Sequence, residues 1–391
     1  MTEKSFFIQV LSDHLAGRKT TPQAGIDWKT IAYYARSHRV EGIVFYQCKE
    51  FIPSEWHASF EQALGATLFY YKNRERALKE IGAGFTEIGV PFLIVKGMEV
   101  AGCYPIPALR TMGDIDILVH KEDKEKAGKA LEKMGFYIKD KNPDSDWPCF
   151  RNEMEYELHH HLIYRETVTH TEQERFFNRY WDYEKNDHLD WSFHFLFLLS
   201  HLRKHLMNKG VGFRMFLDIA AVMKNRTLNW QWIDTKLTEL DMDKFARVCF
   251  GLIERWFHVK APLDGSDLND VFIKRATDRI FSNGLFGFHD EKNQVNGAVN
   301  QMTKYGKGSL FSRLVYLFQL MFPNYNNMAA SRDYSFIRRK PWLLPAAWIY
   351  RFYRLFTRKT SSVSDLLKHV GTPKAVISER EEELREWGLA E

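Results

Sequence analysis

The sequence predicts an α+β protein: a small mixed sheet with flanking helices near residues 90–165, set between helical regions at either end. Three observations lead there. Short apolar and β-branched runs cluster in that window, at Phe92-Leu93-Ile94-Val95, residues 113–119, Phe136-Tyr137-Ile138 and residues 153–162. On both sides of it the apolar residues recur at helical spacing instead. One of the strands also carries two acids a single residue apart, Asp114 and Asp116. The expected regions are an N-terminal helical region at 1–89, a core at 90–165 and a C-terminal helical region at 166–391.

Composition bounds the function. A chain that is 45% hydrophobic and 27% charged is made to fold rather than to stay disordered. Its net charge of +5, from 55 basic and 50 acidic residues, is too slight to argue for nucleic acid, and it permits an RNA or nucleotide partner. Cys48, Cys103, Cys149 and Cys249 form no Cys-x-x-Cys pair, so neither a zinc site nor a disulfide framework is expected, and a reducing cytoplasm is the simplest home. The opening residues lack the basic and apolar runs of a signal peptide. No uncharged run approaches the ~18 residues of a membrane span, so a soluble protein without a transmembrane segment is expected.

In chain order, Asp27 is an expected N-cap for a helix through Ile31, Tyr34 and Ala35. A longer helix follows, with Leu64, Leu68, Tyr71, Leu78, Ile81, Phe85 and Ile88 as its apolar stripe and Lys72, Arg74, Glu75, Arg76 and Lys79 largely elsewhere. Gly89 ends it. The buried strand from Phe92 to Val95 closes on Lys96-Gly97, and Met98 can begin a helix. Such a strand, glycine turn and helix start form a cradle for phosphate, to which Lys96 and Arg110 could add charge.

Gly113-Asp114-Ile115-Asp116-Ile117-Leu118-Val119 reads as the next strand. Alternation points Asp114 and Asp116 to one face and Ile115 and Ile117 into a core. Two carboxylates on one face repel each other unless a cation lies between them. They suit Mg²⁺ or Mn²⁺, hard ions that share oxygen ligands with substrate phosphates.

That order of strand, Gly turn, helix and Gly-Asp-x-Asp resembles the nucleotidyltransferase superfamily that includes DNA polymerase β. More closely, Leu93-Ile94-Val95-Lys96-Gly97, Tyr104-Pro105 and Leu109-Arg110-x-x-Gly113-Asp114-Ile115-Asp116 are similar to a poorly characterised bacterial nucleotidyltransferase-like family. The resemblance implies a polymerase-β-like core. The superfamily usually carries Gly-Ser at the turn, where this chain has Lys96-Gly97-Met98, a departure the closer family shares. The resemblance also implies a third carboxylate from a later strand. Glu157 fits, because Glu157-Leu158-His159 matches the family's acidic-x-His pattern; Glu155 is the alternative on the same face.

Residues 121–134 read as an amphipathic helix with Gly135 as its stop. Residues 140–148 form a turn-rich loop that is either a substrate contact or a hairpin tip. Within 153–162, alternation places Glu153, Glu155, Glu157, His159 and His161 on one face and Tyr156, Leu158, His160 and Leu162 on the other, so the three consecutive histidines cannot converge on one zinc ion.

From Trp191 onward the pattern is helical. Residues 191–206 are apolar nearly all round, as in the central helix of a bundle. His201 and His205 lie one turn apart and either share a metal or are core residues. Arg214 and Asp218 are spaced for a local ion pair. Lys204, His205 and Arg214 either grip a nucleotide from the helical side or are structural. A helix through Phe318 should stop before Pro323. The cations and aromatics of 338–359, beginning Arg338-Arg339, would suit a membrane surface, nucleic acid or plain packing, and Pro373 stands near the start of a last charged helix.

The expected activity is transfer of a nucleotidyl group from an NTP to an acceptor hydroxyl, on a small molecule or sugar, an RNA or a protein. Asp114, Asp116 and Glu157 would hold Mg²⁺ or Mn²⁺, and Lys96, Gly97, Arg110 and Gly113 would bind the nucleotide. The alternative is a nucleotide-binding or scaffolding protein that keeps the fold without turnover.

Overall fold

Helices α1 (Glu3–Ala16), α2 (Trp28–His38), α3 (Glu41–Cys48) and α4 (Ser54–Glu87) lead into the sheet. This computed structural model describes residues 2–143, 145–163, 171–208, 210–263, 265 and 267–284, then 315, 317–319, 321–330, 332–337, 340–357 and 374–390. The chain divides into two compact units. One comprises Met1–Lys141, Asp146–Leu206 and Gly210–His289, the other Asn142–Ser145, Met207–Lys209 and Asp290–Glu391.

The expected caps are present. Asp27 accepts the Lys29 N–H at 3.0 Å to start α2. After α4, Gly89 takes a left-handed φ of 62° and Val90 N–H returns to the Phe85 carbonyl. The apolar stripe of α4 needs correction. Ala77, Ile81 and Phe85 are buried, but Leu68 is 39% exposed, and Arg74 lies inside the buried row. An arginine is tolerated there because both ends of its fork meet backbone carbonyls, as described below.

The strands are β1 (Phe92–Val95), β2 (Asp116–Val119), β3 (Tyr137–Ile138), β4 (Trp147–Arg151) and β5 (Met154–His159), with α5 (Gly97–Ala101) after β1 and α6 (Lys124–Lys133) after β2. Their order is β1-β2-β5-β4-β3, with β2 and β5 parallel and the other pairs antiparallel. Helices α4 and α6 supply the cover: Ile81, Phe85, Ala127 and Leu131 pack in one core with Ile117 and Tyr156. Gly128 of α6 makes room for the buried Trp147, since a Cβ there would stand 2.6 Å from the indole ring.

Two expectations about strands are revised. Regular β2 begins at Asp116, not Gly113, although Ile115 already exchanges hydrogen bonds with Glu155 and Glu157. Glu153 belongs to a turn: Asn152 and Glu153 have φ of 51° and 63°, the pair of positive values that a two-residue hairpin requires between Arg151 and Met154. The loop before β4 is therefore a hairpin connection between β3 and β4.

Beyond the sheet come α7 (Thr171–Phe177), the ribbon β6 (Glu184–Lys185) and β7 (His188–Leu189), then α8 (Trp191–Asn208), α9 (Phe213–Asn225), α10 (Trp230–Glu239), α11 (Asp243–Phe257) and α12 (Asp270–Asn283). Phe193, Phe195, Leu196 and Leu199 bury α8 on several sides, as its composition requires. In the second unit Tyr325–Ala330 and Leu344–Thr357 enclose Met328, Ile337 and Ala347, and Lys374–Glu386 is the last helix. The chain leaves its helical path at Phe322-Pro323 as expected. Arg338, Arg339 and Pro373 lie outside the described residues. No helix among the described residues is long and apolar enough to cross a membrane.

Candidate active site

Strand register assembles the acids. Asp116 stands opposite Val95 on one side and opposite Glu157 on the other, while Leu118 pairs with His159. Alternation then brings Glu157 and His159 to the face that Asp116 occupies. The Lys96 ammonium, one residue beyond β1, lies 2.6 Å from Asp116 Oδ1. His159 Nε2 lies 3.0 Å from the same oxygen and 3.2 Å from Glu157 Oε2. Its Nδ1 faces Asp146 Oδ1 at 2.5 Å, from the connection that leads into β4.

Burial sets the electrostatics. Asp116 is 2% exposed, and burial alone would raise its pKa; the nearby Lys96 and His159 outweigh that and hold the carboxyl well below its usual range. Asp114 moves the other way, raised by burial and by the Asp116 charge. Burial opposes the charged form of His159, yet Asp146, Asp116 and Glu157 prevail and raise its pKa well above the ordinary value. Lys96 and His159 thus both face the acids of the site.

The turn is held from several directions. Lys96 has φ 55° and ψ −118°, a positive-φ conformation uncommon for a residue with a side chain. Its N–H donates to His194 Nε2 at 3.1 Å. Burial, helped by the Lys96 charge, pushes the His194 pKa down to about 3, so the ring is a neutral acceptor. Arg110 Nη1 donates to the Gly97 carbonyl at 3.0 Å, while its Nε and Nη2 each reach one oxygen of Asp218 at 2.8 Å. Tyr104 donates to Asp218 Oδ1 at 2.6 Å. Asp218 thus pairs with Arg110 rather than with Arg214, whose Nη1 instead donates to the Thr111 carbonyl at 2.8 Å.

Arg74 secures the other approach. Its Nη1 and Nη2 donate to the carbonyls of Met112 and Gly113 at 2.9 and 2.6 Å, immediately before Asp114. From α8, the His201 pKa is depressed first by burial and then by the charges of Lys96, His205, Lys204 and Arg214. All four therefore lie within electrostatic reach of one imidazole. His205 packs its ring 4.5 Å from that of His201, and Lys204 is exposed.

The residues fit a divalent ion. Asp116, Glu157 and His159 each offer a ligand atom, all within 4.8 Å of one another. Asp116 Oδ1 and His159 Nε2 are buried and face each other at 3.0 Å, so an ion at this point would meet both. Two carboxylates are donors for Mg²⁺ or Mn²⁺, and an imidazole nitrogen widens the set toward transition ions. Asp114 lies on the same face by alternation.

The structure thus gathers Lys96, Asp116, Glu157 and His159, with Asp114 beside them, and places Gly97, Arg110 and Gly113 in the supporting turns. Glu155 stands opposite Phe150 of β4, one step farther along β5 from Asp116 than Glu157 is. Sequence reasoning gave no role to His159, His194, Asp146 or Arg74. Alternation had already set His159 beside Glu157; the others carry no local signal. No curated protein and no solved structure matches the chain. One family model, described as uncharacterised nucleotidyltransferase, matches residues 24–258, which span α2 to α11 and the entire five-stranded sheet, and the chain belongs to that family.

Proposed function

We propose that the protein moves a nucleotidyl group from a nucleoside triphosphate to an acceptor hydroxyl. The observation that supports this most is the pairing of Asp116 with Glu157 on adjacent parallel strands, next to Asp114 and a lysine-glycine turn. Asp114, Asp116 and Glu157 would hold Mg²⁺ or Mn²⁺, which supplies charge neutralisation and orientation for the triphosphate. Lys96 and Gly97 would meet the phosphates at the end of β1, and Lys204, His205 and Arg214 would grip the nucleotide from α8 and α9. Arg110 and Gly113 contribute by fixing the two turns. In the transfer, the acceptor oxygen bonds to the α-phosphorus, the bond to the bridging oxygen breaks and pyrophosphate leaves. The hydroxyl proton passes to Glu157, whose side chain is 27% exposed against 2% for Asp116.

The test supplies α-labelled NTPs with Mg²⁺ or Mn²⁺ to RNA, protein and small-metabolite fractions. Wild-type protein should label one fraction and thereby name the acceptor class, and Asp116→Asn should lose on the order of 10³-fold of that transfer while remaining folded. An equally active, folded Asp116→Asn would remove the reading. Metal-dependent nucleotide binding without transfer would point to a binding protein instead.

A further inference from the structure

The Lys96 backbone is the unusual feature of the site. A residue with φ 55° and ψ −118° adopts a conformation that glycine reaches freely and other residues adopt at a cost. The surroundings nevertheless hold the lysine in place through the N–H bond to His194 and the Arg110 bond to the next carbonyl. What the strained position delivers is a side chain: an ammonium 2.6 Å from the buried Asp116 Oδ1.

The contact sets a cation directly against a buried carboxylate oxygen. Asp116 also belongs to the group of side chains able to bind an ion. One carboxylate oxygen therefore faces both a tethered monovalent cation and the position of a divalent one. Two cations this close repel strongly in a buried site.

Resting on the nucleotidyltransferase reading, we propose that Lys96 is an internal counter-cation that competes with the divalent ion for Asp116, so that the site favours ion and polyphosphate together over the ion alone. Without ligand the ammonium neutralises Asp116. A divalent ion displaces it, and the freed ammonium needs a new anion, which the polyphosphate provides. Metal and triphosphate binding are coupled through one side chain, and that coupling is reciprocal.

The experiment titrates wild type, Lys96→Met and Lys96→Gly with Mn²⁺ alone, following free Mn²⁺ by electron paramagnetic resonance, then repeats the titration with inorganic tripolyphosphate. The glycine variant suits the positive φ and guards against a folding defect in the methionine one. Both variants should bind Mn²⁺ alone roughly tenfold tighter than wild type. Tripolyphosphate should tighten Mn²⁺ binding by wild type and do so about tenfold less in the variants. Unchanged or weaker Mn²⁺ binding in both variants, with binding abolished by Asp116→Asn, overturns the competition and leaves the metal site standing. Mn²⁺ binding that survives Asp116→Asn, or is absent throughout, defeats the site reading and the proposal with it.

Discussion

Replacing Asp218 by alanine tests the clamp behind the Lys96-Gly97 turn. Asp218 receives Arg110 through Nε and Nη2, both at 2.8 Å, and the Tyr104 hydroxyl at 2.6 Å. The Arg110 side chain is 6% exposed and Asp218 10%, so water cannot replace the lost partner. Removing one member of a buried, hydrogen-bonded pair costs about 3–5 kcal/mol, because the remaining charge stays buried and uncompensated. For a unit of this size that is a fall in Tm of roughly 6–20 °C. Removing both charges, Arg110→Met with Asp218→Leu, should cost less than Asp218→Ala alone, since no orphan guanidinium remains. The assay is thermal and urea unfolding of the wild type, both single variants and the double variant. A loss below about 1 kcal/mol for Asp218→Ala, or a double variant worse than the sum of the singles, would refute the assignment of the pair as a buried clamp.

Other expectations follow from single contacts. Arg74→Met should lose about 2–4 kcal/mol, because the Met112 and Gly113 carbonyls lose a forked charged donor, and Arg74→Lys should recover only part, since an ammonium has no fork; thermal melts decide it. Gly128→Ala should destabilise by about 1–3 kcal/mol through contact with the Trp147 ring, despite better helix propensity. Gly84→Ala should be nearly neutral in the same melts, because its new neighbour is the flexible end of Met134. His14, 1% exposed, has its pKa pushed from 6.5 down to about 4 by burial and the Lys19 charge. The unfolded chain binds this proton first, so the contribution is complete above pH 6.5 and lost as pH falls toward about 4. That gap corresponds to roughly 3 kcal/mol, and His14→Asn should flatten this part of a stability–pH curve measured by urea unfolding.

Local periodicity made the sheet and its acids legible. Alternation alone assigns Asp114, Asp116, Glu157 and His159 to common faces, and parallel pairing of β2 with β5 then aligns them. The partners that arrive through space were not legible. Asp146 reaches His159 only because β4 folds back on β5, and Asp218 meets Arg110 across 108 residues of sequence. The i, i+4 spacing of Arg214 and Asp218 suggested a local pair that a forked guanidinium from elsewhere displaced. The spacing sets Arg74 largely off the apolar stripe, yet the turn before Asp114 has carbonyls that require a buried donor. The strained lysine turn likewise depends on tertiary contacts, because no local pattern announces a positive φ at Lys96.

The central claim is cleavage between the α- and β-phosphates at Asp116. Parallel reactions with α-labelled and γ-labelled NTP, Mg²⁺ or Mn²⁺ and the labelled acceptor fraction measure it directly. The account predicts that the α label joins the acceptor while the γ label leaves as pyrophosphate, and that Asp116→Asn does neither. Transfer of the γ label to the acceptor, or α-label transfer that persists in folded Asp116→Asn, would contradict it.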